Sequence, residues 1–346
     1  MHKTIALFNH KGGVSKTTTT FNIGWMIAEK GKRVVLVDTD PQCNLTGLIL
    51  GDTLDDFYSK NPTRNIHAAL APAFLSQPRE ITPIECVKVT GRDGLLLLPG
   101  HVNLSEYEVT LGIAQEMASS IPTLKNLPGA FNDLVNKIAE ANNADFVLID
   151  MSPSLGSLSQ NVLASSDGFL VPISPDYFSL MAVDSLSKVL PRWAEWGRRA
   201  HASETLRTAA YPFREFKLKF FGTIIQKFRP RLGSATIGFQ NWIDSINESV
   251  REKLFPQLQA YQLTLPEQAY RDAGNSPEES YCLSQIPDFN TLIATAQSHR
   301  TPVFALTDEM LGHVGVVLEQ DRRKCDDFYK LFSKLADRVM ALAAHV

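Results

Sequence analysis

The stretch that decides the fold is residues 4–18, TIALFNHKGGVSKTT. It begins with a short apolar run that ends at Asn9 and continues through a pair of glycines. It then leads through a threonine-rich segment into an apolar stretch from Phe21 to Ala28. This pattern predicts a buried strand, a tight loop and a helix that ends near Gly31. A loop in this position, directly before a helix N-terminus, is the arrangement that binds phosphate groups.

The loop contains the kinds of groups that a nucleotide phosphate requires. Small residues let backbone N–H groups surround the phosphate oxygens, and the helix N-terminus adds about half a positive charge. Lys16 is the expected point charge for the β- and γ-phosphates, and Thr17 can offer its hydroxyl to Mg²⁺. The ordinary template GxxxxGK[ST] is not met, because His10 and Ser15 occupy its two glycine positions.

Further apolar segments extend this unit into a sheet. They are continuous rather than alternating: RVVLV (33–37), GLLLL (94–98), DFVLI (145–149), GFLVPI (168–173) and residues 221–225. Such runs are typical of parallel strands that are covered on both faces, and their alternation with helical segments predicts a doubly wound α/β fold. Asp38, Asp40 and Asp150 end or follow two of these strands, at the edge of the sheet where ligands bind in such folds.

Composition narrows the class of protein. The 346 residues include 34 Lys and Arg against 37 Asp and Glu, and the net charge of −3 excludes neither nucleic acid nor an anionic ligand. The four cysteines have no metal-binding spacing, which argues against a zinc ribbon or a disulfide framework. No run approaches the roughly 18 apolar residues of a membrane span, and the first apolar run is too short for a signal peptide. We therefore expect a cytoplasmic protein.

The segment KGGVSKTT (11–18) resembles the deviant Walker A motif of the ParA/MinD family of P-loop ATPases, in which a lysine begins the loop and glycine is usual at the position of Ser15. VVLVDTDPQCN (34–44) resembles the family's DxDPQ motif. FVLIDMSPSLG (146–156) resembles its Walker B strand, although DxPP is more usual there. Segments 94–108, 170–186, 221–231 and 285–304 look like further blocks of the family. The resemblance is closest to ParA-type partition ATPases, and it implies a P-loop NTPase fold that uses ATP and Mg²⁺.

The resemblance also implies a catalytic arrangement. Lys11 would be the family's signature lysine, which reaches across a homodimer to the phosphates of the partner's ATP. Asp40 would orient the attacking water, and Lys16 would bind the transferred phosphate. ATP would then be part of the dimer interface, so that ATP favours the dimer and hydrolysis releases it.

The expected cofactor contacts complete the predicted site. Mg²⁺ would be held by Thr17, Asp38 and Asp150, the last through a water molecule. The resemblance puts the adenine near Gln226 and Pro287. The loop residues expected to bind ATP are Lys11, Gly12, Gly13, Val14, Ser15, Lys16, Thr17 and Thr18.

The whole chain, 1–346, is predicted to form a single P-loop ATPase domain. Residues 51–93 are rich in proline, and we expect them to form a divergent, loop-rich segment. Residues 232–284, with aromatic side chains among polar ones, predict a helical insertion within the core. Residues 320–346 predict a C-terminal helix whose apolar stripe packs on the core.

A basic segment indicates what the ATP-bound dimer binds. Residues 188–231 contain eleven basic and three acidic residues, in a chain that is otherwise acidic. Such an excess fits the phosphate backbone of DNA, and partition ATPases of this family bind DNA non-specifically. We therefore expect a nucleoid-associated dimer whose slow hydrolysis, and hence release, is stimulated by a ParB-like or other partner. The candidate DNA contacts are Arg192, Arg198, Arg199, Arg229 and Arg231.

Other functions stay open. The same ATPase could position a protein assembly or serve a multi-gene system. A MinD-like membrane switch would need a strongly basic amphipathic C-terminal helix, but acidic residues there oppose the few basic ones, so no membrane contact is expected. An iron–sulfur ATPase is not favoured, because it would need cysteines placed to share a cluster. The DxDPQ motif and Lys11 argue against a ligase that phosphorylates a carboxylate.

Overall fold

An eight-stranded sheet forms the centre of the described part of the chain. The structure is a computed structural model, and it describes residues 2–117, 121–231, 234–235, 237–275 and 280–346. The strands are β1 Lys3–Leu7, β2 Val34–Asp38, β3 Val87–Lys88, β4 Leu95–Leu98, β5 Phe146–Asp150, β6 Gly168–Ile173, β7 Lys219–Phe228, β8 Pro230–Arg231, β9 Ser234–Ala235 and β10 Cys282–Pro287. The sheet has the order β10-β7-β6-β1-β5-β2-β4-β3, while β8 and β9 form a separate antiparallel pair.

Helices connect and cover these strands. They are α1 Lys16–Glu29, α2 Asn44–Leu50, α3 Leu54–Lys60, α4 Ile66–Phe74, α5 Glu106–Met117, α6 Leu127–Ala141, α7 Ser157–Ala164, α8 Tyr177–Ala202, α9 Glu204–Arg207, α10 Ile237–Ser249, α11 Phe255–Ala260, α12 Glu267–Asp272, α13 Leu292–Ser298, α14 Asp308–Leu311 and α15 Gly315–Ala343. A π-helical segment, Val250–Leu254, joins α10 to α11.

The strand order has the reversal that defines a doubly wound sheet. From β1 the chain passes through α1 to β2 and β4 on one side. It returns through α5 and α6 to β5, and it continues through β6 and β7 to β10 on the other side. Because such crossovers are right-handed, the crossover helix α1 lies on one face and the crossover helices α6, α7 and α8 lie on the other. The C-terminal helix α15 packs beside α1, whereas α5, α7 and α8 pack in a row with α10 and α11. All neighbouring strands in the sheet are parallel except β3 and β4, so the predicted doubly wound, mostly parallel fold is confirmed.

Burial explains why the strand sequences are continuous apolar runs. Every residue of β2, β5 and β6 is buried, since helices cover both faces of the sheet. The carboxyl ends of β2 and β5 lie side by side, with Asp38 opposite Asp150 in the ladder. The loop after β1 emerges at the same edge, so this edge brings the predicted phosphate loop and the buried aspartates together.

Residues 51–93 differ from the predicted loop-rich segment, because they contain α3, α4 and β3. Helix α4 tolerates Pro72 close to its end, and its apolar side chains, including Ile66 and Leu70, are buried. In the predicted insertion, α10 and α11 pack against α8. The helices in residues 51–93 were not predicted because proline disfavours a helix, and the sequence does not show that burial compensates for this.

The C-terminal helix α15 packs on the core through one apolar stripe. Phe328, Phe332, Leu335 and Val339 are buried, and the helix contacts α1 and β10. Within the ranges that the structure describes, no helix combines the length and the apolar character that crossing a membrane requires.

Candidate functional site

The loop between β1 and α1 turns on two residues in the left-handed backbone region. Gly13 has φ 72° and Ser15 has φ 60°. Glycine adopts this conformation freely, whereas a residue with a Cβ atom pays about 1–2 kcal/mol for it. The turn allows α1 to begin at Lys16, with its N-terminus at the carboxyl edge of the sheet. The backbone N–H groups that a phosphate would contact therefore lie at that edge.

Lys16 is bound by the loop itself. Its Nζ donates to the backbone oxygen of Asn9 at 2.8 Å and to that of Lys11 at 3.0 Å. Burial lowers the pKa of Lys16 to about 8, although Asp150 and Asp40 act in the opposite direction. The ammonium group thus closes the loop through contacts that it would exchange for phosphate oxygens.

Thr17 and Asp150 form the part of the site that suits a magnesium ion. The Thr17 hydroxyl donates to Oδ2 of Asp150 at 2.7 Å, while Oδ1 of Asp150 is buried without a hydrogen-bond partner. Burial, together with Asp38 and Asp40, raises the pKa of Asp150 well above its ordinary value. A hydroxyl beside an unsatisfied buried carboxylate oxygen is a donor set that fits Mg²⁺. No three Asp, Glu, His or Cys side chains converge as ligands within the described residues, so water and phosphate would complete the coordination.

Asp38 lies next to this pair, but its oxygens already accept hydrogen bonds from the protein. Oδ2 accepts from the backbone N of Thr46 at 2.8 Å and from its hydroxyl at 2.7 Å, and Oδ1 accepts from the backbone N of Asp40 at 3.2 Å. Burial raises the pKa of Asp38 to about 6, against the effect of these hydrogen bonds. Asp38 therefore fixes α2 to the end of β2. Its predicted contact with Mg²⁺ stays a prediction.

Lys11 points to the start of α8. Its Nζ donates to both carboxylate oxygens of Asp176 and to the hydroxyl of Ser179 at 3.0 Å. Lys11 and Asp176 also form an ion pair whose side chains are 21% and 41% exposed. The predicted trans-acting lysine is thus bound within its own subunit in this structure.

An open cleft of about 920 Å³ adjoins the loop. Its lining includes the loop residues from Gly12 to Thr18, together with Asp40, Gln226 and Pro287. Gln226 donates to the hydroxyl of Thr19 at 2.6 Å, so it also fastens the first turn of α1 to β7. The structure therefore brings most of the predicted nucleotide residues around one cavity, and their contacts with ATP stay a prediction.

The predicted DNA contacts do not form one cluster. Arg192 and Arg199 are exposed on α8, and Arg229 is exposed just after β7. Since a helix rises 1.5 Å per residue, Arg199 lies about 33 Å along α8 from its start, away from the edge that carries Arg229. Arg198 differs from the expectation, because its guanidinium is half-buried and donates to the backbone oxygen of Tyr261. The side chain of Arg231 lies outside the described residues.

Sequence reasoning missed four residues that shape the site. Asp176 and Ser179 hold Lys11, Thr46 holds Asp38, and Lys227 donates to the backbone oxygen of Gly13 at 2.8 Å. The sequence does carry one signal, since an aspartate directly before an apolar helical stretch is a typical helix N-cap residue. No local pattern indicates the contact of Lys227, which depends on how β7 meets the loop.

Comparisons with known proteins agree with this geometry. The protein family described as AAA domain matches residues 2–196, which is more than half of the chain. The sporulation initiation inhibitor protein Soj of Bacillus subtilis is 32% identical over 191 residues, which are 54% of this chain and 64% of Soj. The chain spans less than two thirds of the length of such curated relatives.

Solved structures extend the likeness in fold to the whole chain. Protein DIP2308 of Corynebacterium diphtheriae has a TM-score of 0.67 at 20% identity, with 98% of each chain covered. The pNOB8 ParA structure, determined bound to nonspecific DNA, has a TM-score of 0.59 at 19% identity, with 99% of each chain covered. The sheet, the loop and the matching family agree, and this chain belongs to the ParA/MinD family of P-loop ATPases.

Proposed function

We propose that the protein is a ParA-type ATPase that binds ATP and Mg²⁺ in the cleft beside the phosphate loop and dimerises when ATP is bound. One observation carries the proposal: Lys16, the Thr17–Asp150 pair and Asp40 lie around the same edge of the sheet as a cleft of about 920 Å³. Three kinds of group that phosphate transfer requires are therefore close together, namely a cation, a Mg²⁺ donor set and a carboxylate that lines the cleft.

The chemistry follows from these positions. Lys16 exchanges the backbone oxygens of Asn9 and Lys11 for phosphate oxygens. Thr17 and Asp150 hold Mg²⁺, which neutralises charge on the phosphates when it is bound. Asp40 lines the cleft and orients a water for attack, while its Oδ1 accepts from the backbone N of Gln42 at 3.0 Å. This hydrogen bond fixes the direction of the carboxylate.

An apolar surface next to Lys11 supports a homodimer. Phe178, Tyr177 and Met181, at the start of α8 next to Asp176, are 68%, 54% and 54% exposed. Clusters of large exposed apolar side chains commonly mark interaction sites. A second copy that covers this surface would also bring its own Lys11 towards the nucleotide of the first.

The cargo is proposed to be DNA, bound non-specifically by the ATP-bound dimer. The support is the basic segment, of which Arg192, Arg199 and Arg229 are exposed, and the likeness in fold to a ParA solved with nonspecific DNA. A ParB-like or other partner would stimulate slow hydrolysis and thereby release the DNA, and binding would keep the protein on the nucleoid. Positioning of a protein assembly uses the same ATPase cycle with a different cargo.

Nucleotide binding is tested by measuring the affinity for ATP with Mg²⁺ by calorimetry. Lys16→Ala should abolish binding, because the loop loses the cation that contacts the phosphates. Lys88→Ala, which removes an exposed lysine on β3, should bind as the wild type does. Equal affinity in Lys16→Ala and the wild type would contradict the assignment of the site.

Catalysis is tested by Asp40→Ala. This variant should bind ATP but hydrolyse it at least about 100-fold more slowly, since positioned groups that handle the nucleophile contribute about that factor or more. The dimer should consequently persist after ATP is added. Normal turnover would remove Asp40 from the catalytic role.

DNA binding is tested by anisotropy of a labelled duplex with ATP, ADP or no nucleotide at two salt concentrations. Arg192→Ala/Arg199→Ala should weaken binding and reduce its dependence on salt, because every phosphate contact that is lost lowers the number of counterions released when the protein binds DNA. Arg323→Ala/Lys330→Ala removes two exposed charges with the same spacing on α15 and should leave binding unchanged. If no nucleotide state of the wild type binds DNA, the cargo is not DNA.

A further inference from the structure

The ammonium group of Lys11 is fully occupied inside its own subunit. Its Nζ reaches Asp176 Oδ1 at 2.5 Å, the second oxygen of the same carboxylate, and Ser179 Oγ at 3.0 Å. An ammonium group has three donor hydrogens, and three acceptors surround this one. Burial alone would raise the pKa of Asp176, but the hydrogen bonds from Lys11 and Ser179 lower it below its ordinary value.

Both ends of this ion pair are held by rigid parts of the fold. Asp176 is the N-cap of α8, and its Oδ1 accepts from the backbone N of Ser179 at 2.9 Å. On the other side, the backbone N of Lys11 donates to Oδ1 of Asn9 at 3.0 Å. The contact therefore ties the phosphate loop to the start of α8, and it is a feature of the fold rather than a chance meeting of two mobile side chains.

The contact lies between the phosphate loop and the apolar surface. The backbone oxygen of Lys11 accepts from Nζ of Lys16, so a phosphate that attracts Lys16 also removes a hydrogen bond from Lys11. Directly after Asp176 come Tyr177 and Phe178, two of the exposed side chains of the proposed dimer surface. The Lys11–Asp176 contact is thus adjacent both to the group expected to bind phosphate and to the surface expected to be buried in the dimer.

We propose that Asp176, assisted by Ser179, is a positioning residue that retains Lys11 in its own subunit, also in the ATP-bound monomer, and so opposes dimerisation until the partner's phosphates take its place. The inference rests on the proposed function in one respect, namely that Lys11 acts on the partner's ATP. Because Lys11 cannot contact Asp176 and the partner's phosphates together, each dimer has to break two of these ion pairs, one per subunit.

The test is Asp176→Asn, which removes the charge but keeps a good N-cap residue. The dimer dissociation constant is measured by sedimentation in saturating ATPγS and Mg²⁺. Removal of one partly exposed ion pair per subunit should strengthen the dimer about 2- to 30-fold. The affinity of the dilute monomer for ATPγS should stay unchanged, which a general structural defect would not allow. Ser179→Ala should act in the same direction and more weakly.

Asp184→Asn is the matched control. Asp184 lies on the same helix and binds Lys188 at 2.6 Å, so this variant removes the same charge from an ion pair that is remote from Lys11. It should dimerise like the wild type. Unchanged or weaker dimerisation of Asp176→Asn, while the wild type dimerises, overturns the role of Asp176 and leaves the proposed function standing. If the wild type stays monomeric in ATPγS, the proposed function fails and this inference fails with it.

Discussion

At the scale of single residues, Ser15 has a side chain at a backbone position that favours glycine. Its φ of 60° lies in the left-handed region, and it makes no side-chain capping hydrogen bond. Ser15→Gly should therefore stabilise the nucleotide-free protein by about 0.5–1 kcal/mol in urea denaturation. Ser15→Ala keeps the Cβ atom and should gain little. A less stable glycine variant would show that the hydroxyl supports the loop.

Asp150 is a buried carboxyl group whose raised pKa affects stability. Burial is the first cause, and the carboxylates of Asp38 and Asp40 add repulsion. Since the pKa in the folded protein exceeds the unfolded value near 4, the folded state holds the proton more tightly. The stabilisation from this group is complete below pH 4 and is lost as the pH rises through the folded pKa. For the neighbouring Asp38 that value is about 6.

Asp150→Asn should accordingly gain stability relative to the wild type as the pH rises from 5 to 8, by about 1 kcal/mol or more for each unit of pKa shift removed. The difference in thermal midpoint, measured in EDTA, checks this. Mg²⁺ should stabilise the wild type at pH 8 but not the variant. Asp145→Asn makes the same charge change at the exposed amino end of β5 and should show no such trend. A constant difference across this pH range would contradict the buried-charge account.

At the scale of secondary-structure elements, α8 has a structural and an exposed arginine side by side. Arg198 donates to the backbone oxygen of Tyr261, in the turn after α11, whereas Arg199 is exposed. Arg198→Ala should destabilise the protein by about 1 kcal/mol or more, because a half-buried oxygen loses a charged donor. Arg199→Ala should change stability by less than about 0.5 kcal/mol. Equal effects in urea denaturation would show that the Tyr261 contact contributes nothing.

The elements also show what local sequence can and cannot predict. Continuous apolar runs and the glycine loop were sufficient for β1, β2, β5 and β6, because a buried parallel strand has a distinct composition. Helix α4 was missed, since Pro72 masks a helix that is stabilised by burial rather than by propensity. Likewise, adjacent arginines on α8 look equivalent in sequence, and their different roles depend on where the turn after α11 approaches the helix.

At the scale of the whole molecule, the fold class and the sheet edge that carries the phosphate loop followed from the sequence, while the links between distant segments did not. Asp38 and Asp150 could be placed at one edge because parallel strands share an orientation. The contact of Lys11 with Asp176 joins residues 165 positions apart in the chain. Such contacts arise from packing of α8 beside the loop, which no local motif encodes. These packing contacts are the reason that Lys11 is bound within its own subunit in the folded chain.

From the proposed function we expect ATP to convert this chain from a monomer into a dimer, and sedimentation velocity tests this conversion directly. With no nucleotide or with ADP, the protein should sediment as a monomer of 38.4 kDa. With ATPγS and Mg²⁺ it should sediment at twice that mass, whereas Lys16→Ala should stay monomeric throughout. A monomer in every nucleotide state, or a dimer that forms equally well without nucleotide, would contradict the account.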